Sequence, residues 1–110
     1  MDIVLTKETK SYAVKVTAEE KGVILGWAYL YIIFNDQEKG PYGFLENLFV
    51  KEENRGQGIG KQLLQSVMAE AKKINCYKIV GTSRYDRPEV HAMYEKFGFK
   101  DFGKEFKIYL

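Results

Sequence analysis

Seven consecutive residues carry the clearest chemical signal in the chain: Arg55, Gly56, Gln57, Gly58, Ile59, Gly60 and Lys61. They lie between an apolar strand pattern and an amphipathic helix pattern. Alternating glycines at a helix start leave consecutive backbone N–H groups open to solvent, and the helix dipole adds positive potential there. Such a turn binds phosphate or pyrophosphate. Glycine also lets the main chain approach an anion where a Cβ would collide. A Walker A loop is excluded, because Arg55 replaces its first Gly and Gln62 follows Lys61, leaving no hydroxyl for Mg²⁺. A dinucleotide turn fails as well, since Lys61 stands where its third small residue belongs.

Glu46 is a second candidate, a lone carboxylate inside the apolar run 44–50. Burial there would raise its pKa toward that of a general base. Equally, it could face solvent or pair with a basic side chain on a neighbouring strand. No placement of Cys, His, Asp and Glu suggests a metal site.

The elements that must position these residues follow from periodicity. Residues 3–5 form a possible edge strand. Residues 12–18 alternate as a half-buried strand does, and the turn at 19–22 returns the chain antiparallel through an apolar strand over 23–34. Residues 35–41 form a polar loop with a Gly-Pro breaker. Residues 44–50 give another strand, which ends at the glycine loop. Ile59, Leu63, Val67, Ala71 and Ile74 then stripe one face of a helix, with Leu64 and Met68 beside it. A short strand over 77–81 precedes a helix with Pro88 in its first turn and Gly98 at its C′ position. Val90, Met93, Tyr94 and Phe97 form that helix's inner face. Residues 100–102 and 106–110 read as a closing hairpin around Gly103. Trp27, Tyr29 and Tyr31 share one face of the 23–34 strand, as core residues or as an aromatic acceptor wall suited to a cation or flat ring.

Bulk properties set the bounds. A chain of 110 residues is read as one domain, 1–110, with one core. A net charge of +2 without a dense basic tract argues against nucleic acid as partner. The longest apolar run is too short to cross a bilayer, so no membrane association is expected. Cys76 is alone and can form no internal disulfide, and no signal peptide is evident. A cytoplasmic protein is the reading that results.

The segment Arg-x-x-Gly-x-Gly, from Arg55 to Gly60, follows a strand and opens a helix. It resembles the acetyl-CoA pyrophosphate loop of the GNAT superfamily of N-acyltransferases. Tyr94-Glu95-Lys96-Phe97-Gly98-Phe99 is similar to the Tyr-Glu-Lys-Leu-Gly-Phe segment common in that family. The element order from Ser11 onward is similar as well, so the resemblance covers about nine-tenths of the chain. It implies an α/β (α+β) fold with a mixed, mostly antiparallel central sheet flanked by helices. Two helices usually follow the first strand in that family. Only six residues separate residues 3–5 from 12–18, so this chain looks N-terminally trimmed, with an open acceptor side.

The resemblance further implies an acetyl-CoA-dependent N-acetyltransferase working by direct transfer to a primary amine. A CoA-binding regulatory or assembly module without turnover is the alternative. Donor binding carries over to Leu48, Phe49 and Val50 through main chain on a splayed strand. It continues at Arg55, Gly56, Gln57, Gly58, Ile59, Gly60 and Lys61 for the diphosphate. Tyr94 stands where the family places the proton donor to the departing thiolate; otherwise its ring simply packs on the inner helix face. Glu46 is the base. The amine acceptor is a small molecule or a protein, and a homodimer would cover the open side. Arg87 replaces an Asn that often touches the cofactor, which puts that contact in doubt; His91 reads as a surface residue.

Overall fold

Lys21 and Gly22 both take positive φ, 50° and 80°. This is the conformation of a two-residue turn whose twist matches that of paired strands. It joins β1 (Tyr12–Glu20) to β2 (Val23–Ile33) as an antiparallel hairpin. The computed structural model describes residues 1–36 and 39–110. The 35–41 loop therefore lies partly outside the described residues. β3 (Tyr42–Val50) pairs antiparallel with β2, and β4 (Ile79–Gly81) pairs parallel with β3. The sheet order is β1-β2-β3-β4, mixed but mostly antiparallel. Two α-helices, α1 (Ile59–Lys73) and α2 (Pro88–Lys96), complete the described fold.

One face of the sheet makes the core. Ala28, Leu30 and Ile32 alternate along β2 and are fully buried, and Leu45 of β3 lies beside them. Leu64, Val67 and Ala71 of α1 close over these side chains, and Met93, Tyr94, Phe97 and Phe99 pack against the same cluster. Each large aliphatic side chain so buried contributes about 1.5–3 kcal/mol. The helical stripe expected from the sequence is the one observed.

Both helices end in the same way. Gly98 has φ 96°; its N–H donates to the Glu95 carbonyl, and the Phe99 N–H donates to that of Tyr94. Asn75, at φ 69°, does the same for α1, with bonds from Asn75 to Lys72 and from Cys76 to Ala71. These are Schellman caps, which satisfy the last carbonyls of a helix.

Several expectations need correction. Residues 3–5 form no strand, and Ile3, Val4 and Leu5 are exposed. The hairpin around Gly103 is not formed either: residues 100–110 have no regular structure, and Phe102, Phe106, Ile108, Tyr109 and Leu110 are exposed. Alternating apolar residues specify a strand only where a neighbour offers ladder bonds and a face to cover, and neither segment has one among the described residues. The strand expected over 77–81 shortens to β4. The Trp27, Tyr29 and Tyr31 row lies on the face away from α1, not in the core.

Candidate active site

The strand leading to the glycine loop is bent by an extra residue. Trp27 pairs with Phe49 and Tyr29 with Glu46, so Ala28 opposes both Asn47 and Leu48. Asn47 sits at φ 54°, a left-handed conformation that Asn tolerates better than most residues. Such a bulge increases twist and re-aims the side chains beyond it. Leu45 points into the core, Glu46 points out, and Leu48 returns to the core. The Phe49 ring then reaches the Trp27 ring on the outer face, with 4.9 Å between centroids.

β4 pairs with β3 only from Gly43 to Leu45, where Leu45 faces Gly81. Beyond that pair, among the described residues, β3 has no strand on its β4 side from Glu46 to Val50. The two strands fork there. Leu48, Phe49 and Val50, expected to serve through main chain, line one arm of the fork.

The glycine loop closes the far end of that arm. Arg55 Nε donates to the Val50 carbonyl at 2.9 Å, and its guanidinium lies 5.5 Å from the Phe49 ring centroid. The Arg55 side chain therefore ties the loop to the end of β3. Gly56 and Gly58 both have φ 80°, and a Cβ at either would meet nothing within 4 Å. Gly58 is the N-cap of α1 with no side-chain bond to the helix start, and Gln62 is the first residue to donate back, to Gly58. The N–H groups of Ile59, Gly60 and Lys61 thus precede the helical ladder. Ile59 is buried and Lys61 exposed. The loop sets exposed amide donors at the start of a 15-residue helix, with the residue types a diphosphate needs.

Tyr94 stands at the other arm. Its ring lies over the end of β4: a Cβ on Gly81 would be 3.5 Å from Tyr94 Cε2. Phe99 braces it at 5.2 Å between centroids, and the Schellman cap that bonds Phe99 to the Tyr94 carbonyl fixes that contact. Burial pushes the Tyr94 phenol above its ordinary value, so it keeps its proton at neutral pH. Glu46 is exposed on the opposite face, not buried as the apolar run suggested. The period of two explains this, because its neighbour Leu45 takes the core side.

The remaining candidates are engaged elsewhere. His91 is half-buried, and its Nε2–H donates to the Arg84 carbonyl at 2.8 Å, so it tethers α2 to the preceding loop. Arg87 Nε is 3.0 Å from Glu89 Oε1. Burial pushes the Cys76 thiol up and keeps it protonated. Sequence reasoning passed over Lys15. Its ammonium lies over Trp27 and Tyr29, 5.6 and 5.5 Å from the centroids, and Lys15 pairs with Tyr29 across the sheet. Its polar place among Ala13 and Thr17 was the signal.

The model of the acetyltransferase (GNAT) family matches residues 2–99. This chain belongs to the GNAT acetyltransferase family. Among relatives of the GNAT chain is aminoglycoside N(6')-acetyltransferase type 1 of Stenotrophomonas maltophilia, 33% identical over 67 residues, which are 61% of this chain and 44% of that protein. The Trypanosoma brucei acetyltransferase superposes with a TM-score of 0.77 at 28% identity, covering 89% of this chain and 69% of that one. A predicted acetyltransferase with acetyl-CoA from Clostridium acetobutylicum gives a TM-score of 0.70 at 28% identity, over 88% and 64% of the two chains. The GNAT chain spans about half the length of the aminoglycoside acetyltransferases it matches, 44–49%.

Proposed function

We propose that this GNAT chain is an acetyl-CoA-dependent N-acetyltransferase acting on a primary amine within a ternary complex. The observation that carries this reading is the fork itself: an amide-lined loop at one end, unpaired β3 main chain along it, and a half-buried, protonated phenol at its apex. The residues fit the donor. Main-chain N–H groups of Gly56, Gln57, Gly58, Ile59, Gly60 and Lys61 hold the diphosphate, with the Arg55 side chain bracing the loop. Main chain at Leu48, Phe49 and Val50 holds the pantetheine amides, and an N–H there faces the acetyl carbonyl oxygen. Preorganised donors of this kind contribute about 3 kcal/mol to acyl transfer.

When bound, acetyl-CoA supplies an activated acetyl group as a thioester. The amine nitrogen, as the free base left when an arriving ammonium gives one proton to water, bonds the acetyl carbon as the carbon–sulfur bond breaks; one proton leaves that nitrogen and one reaches the sulfur. Glu46 receives the first, directly or through water, and Tyr94 donates the second. Residues 1–110 serve as one catalytic domain. The reduced thiol of Cys76 suits the cytoplasm. A homodimer accounts for the exposed apolar residues of both terminal segments.

The acceptor side is open and Glu46 exposed, which favours one second reading, a CoA-binding module without turnover. A thiol-release assay with acetyl-CoA and a panel of amines separates the two. Turnover that falls by on the order of 10²-fold in Glu46→Gln, with the Kd for CoA unchanged, supports the enzyme. CoA binding by calorimetry with no thiol release for any amine supports the module. No binding of CoA at millimolar concentration removes both.

A further inference from the structure

The outer face of the sheet carries a cavity of about 520 Å³, lined among others by Tyr12, Ala13, Tyr31, Ile33, Phe44 and Glu46. The register explains it. Ala13 pairs with Tyr31, and Tyr31 pairs with Phe44, so a methyl group stands in a row of rings and leaves a dent. In the next row, Tyr29 pairs with Glu46 and stacks on Tyr31 at 6.2 Å between centroids. Glu46 is the one charged side chain lining the dent among the described residues. The Ser11 hydroxyl at its edge is already engaged, accepting from the Phe34 N–H at 2.8 Å and donating to the Phe34 carbonyl at 3.3 Å. Lys15, the nearest cation in the pairing, is held over Trp27 and Tyr29 and does not line the cavity.

We infer that this cavity binds the acceptor and selects a primary amine on an apolar body, an arylalkyl or alkyl ammonium. The inference rests on the transferase reading and names the substrate class for it. An ammonium beside Glu46 gains an ion pair and the π faces of Tyr31 and Phe44. The body of such an amine covers Ile33 and the Ala13 methyl, apolar surface that now faces water. A polyhydroxylated amino sugar would press hydroxyls against those same walls, where few partners answer them. The volume is of the size that holds a small organic ligand. Glu46 immediately precedes the bulge at Asn47, so an amine held there lies at the mouth of the fork.

The test uses the full chain. Phenethylammonium is titrated by ligand-observed NMR, with and without CoA, against wild type and Ala13→Leu; position 13 is exposed, so leucine fills the dent without entering the core. Thiol release is then measured with phenethylamine, hexylamine, glucosamine and an aminoglycoside. Expected are binding lost at least tenfold in Ala13→Leu, and a kcat/KM for phenethylamine at least tenfold above that for glucosamine. The variant should raise KM for phenethylamine and leave the Kd for CoA unchanged. Absence of phenethylammonium binding, equal binding in Ala13→Leu, or preferred turnover of the amino sugars would overturn the inference. Phenethylammonium bound but never acetylated, with amine binding still lost in Ala13→Leu, leaves the cavity standing and removes the transferase reading instead.

Discussion

Glu46 and Tyr94 lie on opposite faces of the sheet, one on each side of the point where β3 and β4 part. Glu46 follows Leu45, which enters the core, and so projects outward beside Tyr29. Tyr94 packs with the core cluster and lies over Gly81, the strand partner of Leu45. A proton acceptor on one face and a donor on the other suit a reaction through the gap. In the proposed mechanism the amine would come from the aromatic face and the thiol would depart toward the helices, so the two proton transfers would not compete for one space.

Tyr94→Phe removes the donor and keeps the ring packing on Phe99 and Gly81. The expected result is a kcat lower by on the order of 10²–10⁴ with CoA affinity nearly intact. Stopped-flow thiol release alongside calorimetry measures both. Unchanged turnover would take Tyr94 out of the chemistry and leave it a packing residue.

The same phenol makes alkaline stability a readout of its burial. Its folded-state pKa is raised, so in the window above its ordinary value the unfolded chain releases the proton first and stability falls as pH climbs. Urea midpoints at about pH 8 and about pH 11, spanning the ordinary phenol pKa near 10, should drop more for wild type than for Tyr94→Phe. Equal drops in the two proteins would mean the phenol is solvated.

Gly58→Ala meets no atom, yet it forces a Cβ into the left-handed region at φ 80°. The cost should be about 1–2 kcal/mol of stability. CoA affinity should weaken as well, because the N–H groups of the first turn are re-aimed. Thermal unfolding with and without CoA separates these effects. A variant of full stability and affinity would show that the turn does not need glycine at this place.

Asn47→Gly should keep the bulge, whereas Asn47→Val should not, since a β-branched residue at φ 54° is strained by about 1–3 kcal/mol. The valine variant is expected to lose stability and most of its turnover, the glycine variant neither. Parallel denaturation and activity curves decide it; two variants that behave alike would sink the structural role given to the bulge.

Much of this architecture is written in local pattern. The α1 stripe, the turn at Lys21 and Gly22 and the Gly98 cap each depend on residues within a few positions of one another, and each is where the pattern places it. What depends on distant partners was less legible. Residues 106–110 alternate as a strand would, but only a neighbouring ladder could make them one, and no element among the described residues supplies it. Trp27, Tyr29 and Tyr31 look like core because sequence cannot say which face of a sheet is covered. The apolar neighbours of Glu46 suggested burial for the same reason. The bulge at Asn47 was hidden by the period-two reading itself, although an Asn inside an apolar strand was its trace.

The brevity of β4 has a mechanical consequence. Among the described residues, three rungs are all that strand pairing provides between the arm bearing Tyr94 and β3. A molecule that bonds along the open edge below Gly81 acts as a splint, continuing a ladder the polypeptide leaves short. Under the proposed function, loading the reactant and stiffening the arm would be a single event, and the geometry for transfer would be completed by the compound consumed.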